Sequence, residues 1–181
     1  MDRPTADASV RDATAADATA IGQVQAAAWR SSYQDVLPAA TLSSLQVEDL
    51  AEAWREAIVR PPGAGHRVLV AAGSEGVVGF VAIAPAAESV PETGEIAALV
   101  VAPSAQGSGH GSRLLNAAVD RLRLQGFERV LVWVLEKDEA RLRFLSGAGF
   151  ADDGGRRTFA TDDGRAELRE VRLAASLRDD G

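Results

Sequence analysis

No cysteine occurs among the 181 residues. Disulfides, thiolate-held metals and a cysteine nucleophile are thereby excluded. Lysine is nearly missing too: Lys137 is the only one, and arginine carries the remaining positive charge. Aromatic residues make up 5% of the chain, and Tyr33 is the single tyrosine. Apolar runs of about 18 residues, the length that spans a bilayer, do not occur. Nor does a basic stretch followed by an apolar export segment. The expectation is a cytoplasmic protein with no membrane partner. The two histidines, His66 and His110, lie far apart with no carboxylate at ligand spacing, so no metal site is expected. Acids outnumber bases, leaving a net charge of −7 and a pI near 4.9. That balance argues against binding a nucleic-acid backbone. An acidic surface mildly favours a cationic substrate such as an amine and equally serves solubility.

What remains is an ordinary globular composition, 46% apolar and 25% charged, long enough for one domain with a substantial core. Residues 1–8 are small and polar and are expected to fray. A single domain over residues 9–174 and a tail over 175–181 are expected. Ser9 to Ala13 reads as a short first strand. Thr14 to Asp17 resembles an N-cap with an acid three residues on. Ile21, Val24 and Ala28 then recur at helical spacing up to about Arg30. Pro38 reads as a first-turn proline opening a second helical stretch. Leu50, Trp54 and Ile58 form a stripe that Pro61-Pro62-Gly63 ends; Trp54 reads as core.

Arg67 to Ala72 and Val77 to Ala84 are β-rich runs joined by Gly73-Ser74-Glu75-Gly76, a hairpin with a bulge expected at Gly79. Residues 85–93 read as a loop, and Glu95 to Val101 as a strand. Val130 to Leu135 reads as a buried strand. Asp138 is placed to cap a helix whose Leu142, Leu145 and Ala148 face inward, with Gly149 as its stop. Arg157 to Thr161, a turn at Asp162-Asp163-Gly164 and Glu167 to Leu173 make a closing hairpin. The order β-α-α-β-β-β-α-β-α-β-β predicts a mixed α/β fold, a sheet flanked by helices.

Between the strand ending at Val101 and the next helix lies Pro103-Ser104-Ala105-Gln106-Gly107-Ser108-Gly109-His110-Gly111-Ser112. Leu114, Leu115, Ala118, Val119 and Leu122 give that helix one apolar face, and Gln125-Gly126 ends it. Glycines ahead of a helix let the backbone approach a ligand. The unpaired N–H groups and the positive dipole end favour phosphate. A P-loop needs a lysine after its glycines, and none follows. Gly107-x-Gly109-x-x-Ser112 nearly matches the dinucleotide fingerprint, with Glu136 as a possible ribose acid, and implies an NAD(P)-binding oxidoreductase. Against it, Pro103 to Gln106 separate the strand from the first glycine, where the fingerprint turns directly off its strand.

Val101-x-Pro103-x-x-Gln106-Gly107-x-Gly109-x-Gly111-x-x-Leu114-Leu115 resembles the acetyl-CoA-binding segment of the GNAT-type N-acetyltransferases, with Gln106, Gly109 and Gly111 in the core positions. Three further segments match in order. Gly94-Glu95-Ile96 with Leu99 and Val101 resembles the family's central strand. Asp138, Phe144 and Gly149-Phe150 resemble its N-x-x-A-x-x-F-Y-x-x-x-G-F segment. Trp29 to Tyr33 with Val36-Leu37-Pro38 resembles a W-x-x-x-Y-x-x-x-x-P start.

The resemblance implies a mostly antiparallel, twisted sheet of about seven strands with a splayed central pair. It implies an acetyl-CoA-dependent transferase acting directly on an amine of a small molecule or a peptide. Cofactor contacts would come from Leu99, Val100, Val101, Gln106, Gly107, Ser108, Gly109, His110, Gly111, Ser112, Asp138 and Phe144. The Val101 N–H would serve as an oxyanion donor. Glu95 would be the base that takes a proton from the amine, or an exposed strand-end carboxylate. Trp29, Tyr33 and Glu95 would line the acceptor site, with Tyr33 as a substitute acid; aromatic packing is the alternative for Trp29 and Tyr33. Trp133, beside the cofactor strand, is either packing or site. His110 is expected to point to solvent.

Two departures stand out. Leu145 occupies the position of the tyrosine that protonates the thiolate, and Asp138 replaces an asparagine. Asp138 accepts hydrogen bonds but cannot donate them as a carboxylate, and it reads more simply as the cap. A CoA-binding module with little catalysis is therefore the alternative. A homodimer through the final hairpin also fits the resemblance.

Overall fold

A computed structural model describes residues 9–35, 37–74, 76–86, 91–160 and 167–178. The terminal residues 1–8, Val36, Glu75 in the hairpin turn, the middle of the 85–93 loop and the 162–164 turn lie outside the described residues.

Seven strands form one sheet in the order β1-β2-β3-β4-β5-β7-β6, the mixed sheet that the element order predicted. They are β1 (Val10–Asp12), β2 (Arg67–Gly73), β3 (Gly76–Pro85), β4 (Thr93–Val101), β5 (Arg129–Leu135), β6 (Ala151–Ala160) and β7 (Glu167–Ser176). The helices are α1 (Ala18–Ser32), α2 (Ala39–Ser43), α3 (Val47–Val59), α4 (His110–Leu124) and α5 (Glu139–Gly147). β1 with β2, β2 with β3, β5 with β7 and β6 with β7 pair antiparallel, and β4 with β5 pairs parallel. The parallel register runs from Thr93↔Arg129 to Ile96↔Val132, whereas β4 continues to Val101 and β5 to Leu135.

The chain groups into two compact units, Met1–Ile83 with Ala98–Ala118, and Ala84–Ala97 with Val119–Gly181. The first unit is built on Ile21, Val24, Val70 and Phe80, with Trp54, Ile58, Ala98, Val100 and Ala102 packed against them. Trp54 meets Phe80 edge to face at 4.9 Å and donates its indole N–H to Gln25 at 2.6 Å. The bond lets an indole lie in an apolar core without an orphaned donor. The bulge in the β2–β3 hairpin falls at Val78, because Ala71 pairs with Gly79 and Ala72 with Val77. Gly79 is needed there: a Cβ would lie 2.8 Å from the Val100 carbonyl.

In the second unit, Val130, Val132, Val134, Val171 and Leu173 are buried. Gly94 belongs to it as well, since a Cβ there would lie 2.5 Å from a Leu122 methyl of α4. The β4 backbone thus lies close under that helix.

Four readings of the sequence change. Pro38 stands just before α2 at ψ 142°, as its cap rather than its first helical residue. Ala148 is exposed because the helix has already ended there, with Ala148 as its C-cap. β6 starts at Ala151, six residues before the Arg157 expected. Its first half carries no apolar alternation, and ion pairs hold it instead. Asp153 pairs with Arg129 at 2.6 Å and Arg172 at 3.0 Å across a bulge between Asp152 and Arg156. Arg156 in turn holds the Asp152 carboxyl down to about 2. His110, the first residue of α4, is buried rather than solvent-facing.

Candidate active site

β4 leads into the glycine turn through a single 3-10 turn, Pro103–Ala105. Ala102 N–H donates to the Val78 carbonyl of β3 at 2.8 Å. Strand alternation then directs the backbone groups of Val101 and Leu99 to the other edge of β4. On that edge the Val101 carbonyl accepts from the Gln106 side-chain amide at 3.3 Å. Gln106 therefore tethers the start of the loop to the end of the strand. Leu99 is buried, and Val100 and Val101 are half-buried.

Gly107 and Gly109 have φ of +75° and +81°, a backbone region that penalises a Cβ. Gln106, Gly107, Ser108 and Gly109 are exposed. The first hydrogen bond of α4 runs from Arg113 N–H to the Gly109 carbonyl at 3.1 Å. The N–H groups of His110, Gly111 and Ser112 precede that bond and have no acceptor within the helix. No acid stands in the first turn of α4. His110 is 9% exposed, and its Nδ1 is buried with no hydrogen-bond partner. A turn with open amides, no Cβ on its glycines and no internal anion fits a phosphate group.

Sequence reasoning passed over Arg113, the fourth residue of α4. Its guanidinium folds back over the turn, 3.7–3.9 Å from where a Cβ on Gly109 would be. The available signal was an arginine in a first helical turn, where acids are favoured.

Also in the first unit, Trp29 and Tyr33 pack edge to face with centroids 6.0 Å apart at the end of α1. Both are half-buried, and Tyr33 N–H closes the helix on the Trp29 carbonyl at 2.9 Å.

Glu95 lies in the second unit, half-buried in β4 opposite Leu131 of β5. Its neighbour Gly94 faces α4, so alternation turns Glu95 to the opposite face of the sheet. Leu131 and Trp133 share that face. Trp133 is flanked by the guanidinium of Arg157 at 4.3 Å and of Arg172 at 5.5 Å.

Asp138 caps α5: its carboxylate accepts from Arg141 N–H at 3.0 Å. Leu145 is fully buried and Phe144 half-buried. A tyrosine hydroxyl at 145 would need a partner in a packed core, and leucine needs none. Among the described residues, no three histidines or carboxylates come together as metal ligands. Among the described residues, no helix is long and apolar enough to cross a membrane.

Comparison with known proteins bears on these features. Residues 26–150 match the family described as Acetyltransferase (GNAT) family. The chain is 29% identical over 132 residues to the uncharacterized N-acetyltransferase YuaI of Bacillus subtilis (strain 168), covering 72% of this chain and 73% of that protein. Among solved structures, PaiA N-acetyltransferase from Thermoplasma acidophilum, in complex with coenzyme A, superposes with a TM-score of 0.71 at 17% identity, over 93% of this chain and 98% of that one. YncA of Salmonella typhimurium, a putative acetyltransferase with its cofactor acetyl-CoA, gives 0.72 at 22% identity, over 97% and 96%. The two structures share the fold. With more than half its length inside the family pattern, this chain belongs to the acetyltransferase (GNAT) family and is an acetyltransferase enzyme.

Proposed function

We propose that this enzyme transfers an acetyl group from acetyl-CoA directly to a primary amine of a small molecule or a peptide. The observation that carries the reading is the start of α4. Three N–H groups there precede the first helical bond, behind two glycines of positive φ and with no acid in the turn. Gly107 to Ser112 would hold the pyrophosphate, Leu99 and Val101 the pantetheine arm through their backbone edge, and Phe144 and Asp138 further parts of the cofactor. Acetyl-CoA, when bound, supplies an activated acyl group on a good leaving thiol.

The roles of the protein groups follow from what the reaction demands. A protonated amine has no lone pair with which to attack, so Glu95 accepts its proton, directly or through water. The Val101 N–H, on the edge of β4 away from β3, would be the donor that stabilises negative charge growing on the acyl oxygen. Trp29 and Tyr33 line the acceptor side. Leu145 has no proton to give, so the thiolate departs unaided or is protonated by water or Tyr33. The working unit is a cytoplasmic protein, paired through the β6–β7 hairpin.

The test is thiol release over a panel of amines, with calorimetry of CoA binding alongside. Amine-dependent CoA release, reduced on the order of 10²- to 10⁴-fold by Glu95→Gln, is the expected result. CoA binding without release across the panel would instead establish a binding module, the reading that the buried Leu145 favours. Absence of CoA binding at high micromolar concentration would remove both.

A further inference from the structure

We infer that Arg113 is a cofactor-binding residue whose guanidinium clamps a phosphate group of CoA over the Gly107–Gly109 turn. The inference rests on the acetyl-CoA reading above and adds a side chain that the family's backbone loop does not specify.

Three observations converge on it. The first is position. Nη1, Cζ and Nη2 of Arg113 lie 3.7, 3.8 and 3.9 Å from the place a Cβ on Gly109 would occupy. Nη1 also reaches the Ser108 carbonyl at 3.4 Å, a long bond that holds the group over the turn while spending little of its donor capacity. A guanidinium has five N–H donors in a planar fork that matches phosphate.

The second is pairing. Arg11, Arg129, Arg156, Arg157, Arg172 and Arg178 each meet a carboxylate. Among the described residues Arg113 meets none. An exposed arginine without an acid is unremarkable on a surface, but this one lies across a turn of open amides.

The third is electrostatic sense. The amino end of a helix carries positive partial charge, so a cation in the first turn opposes it. Here no acid in that turn offsets the repulsion. His110 in the same turn keeps a buried Nδ1 without a partner, a second polar group the chain itself leaves unsatisfied. Arginine, dipole and open amides repel one another in the free chain and all attract the same anion. Arrangements that break a local stability rule in this way are characteristic of sites.

CoA offers two sources of phosphate oxygens, the pyrophosphate and the 3′-phosphate, and one experiment separates them. Calorimetry would titrate CoA and 3′-dephospho-CoA into the full chain and its Arg113→Met and Arg113→Lys variants, each at low and moderate salt. Arg113→Met is expected to weaken CoA roughly ten- to hundredfold, the range for a lost charge-assisted hydrogen bond. It should also flatten the salt dependence, because one phosphate charge is no longer neutralised. Arg113→Lys should recover part of the loss, since it keeps the charge without the fork. The ligand-free melting temperature of Arg113→Met should match or slightly exceed that of the parent chain, which separates lost binding from lost folding. A loss that persists with 3′-dephospho-CoA assigns the clamp to the pyrophosphate; one that vanishes assigns it to the 3′-phosphate. Unchanged CoA affinity and salt dependence in Arg113→Met would overturn the inference and leave the acetyl-CoA reading standing. Failure of the parent chain to bind CoA would overturn both.

Discussion

The start of α4 and the start of α5 solve the same problem in opposite ways. Each helix exposes N–H groups that no carbonyl within the helix can satisfy. At α5 the chain supplies the anion: Asp138 accepts from Arg141 N–H, and Glu139 follows in the first turn. The entries to α1 and α3 are acidic too, with Asp17 bonded to the Thr14 N–H at 2.8 Å and with Glu48 and Asp49 in the first turn. At α4 the chain provides glycines, an orphaned imidazole nitrogen and an arginine. α5 closes its entry with its own carboxylate, the entries to α1 and α3 carry acids without a capping bond, and α4 has neither, which leaves it to an anion from outside.

The comparison breaks most sharply if α4 is made to resemble the others. Ser112→Asp puts a carboxylate into its exposed first turn. CoA affinity should fall on the order of a hundredfold, the upper range for one charged hydrogen bond. The ligand-free chain should melt no lower, because an acid there suits the helix dipole. Affinity by calorimetry and melting by circular dichroism would be read together, and retained affinity would mean that α4 holds no anion.

Gly109→Ala tests the turn itself. At φ +81° an alanine costs roughly 1–2 kcal/mol, and its Cβ stands beneath the Arg113 guanidinium. Melting by circular dichroism should show a destabilisation of that size, and calorimetry a weaker CoA affinity, because the free turn relaxes from the strain that binding would restore.

Asp138→Ala asks the converse question of α5. Loss of the cap should lower stability by about 1 kcal/mol in a denaturant titration. A cap that does nothing else leaves CoA affinity unchanged. A parallel loss of affinity would give Asp138 the second, cofactor-contacting role proposed above.

Acid provides the mildest probe. Arg11, with its two hydrogen bonds, holds the Asp17 carboxyl well below the usual carboxylate range. The unfolded chain therefore binds more protons than the folded one at acid pH. Its contribution is complete above the unfolded value near pH 4 and is lost as the pH falls toward the depressed folded one. Melting temperature from pH 7 to 2 should decline on the acid side, and less steeply in Asp17→Asn. Identical slopes would show that the α1 entrance is not held by charge.

Much of this was legible in the chain. Helical spacing located α1, α3 and α4, because a helix burying one face must repeat its apolar residues. Asp138 read as a cap and was one, since capping is decided within a few residues. The early half of β6 was not legible. Ala151 to Arg156 show no alternation, and Asp153 is held there by Arg172 of the adjacent β7 and by Arg129 of β5 beyond it. Pairings between residues 19 and 24 apart leave no local signature.

Local sequence by itself determined the glycine turn, the helix behind it and the strand before it. Backbone conformation and hydrogen-bond demand are properties of consecutive residues. Tertiary structure alone decided that His110 is buried with an unpaired nitrogen and that Arg113 folds back over Gly109. Burial and partnership depend on what the rest of the chain brings alongside, and no spacing rule encodes that.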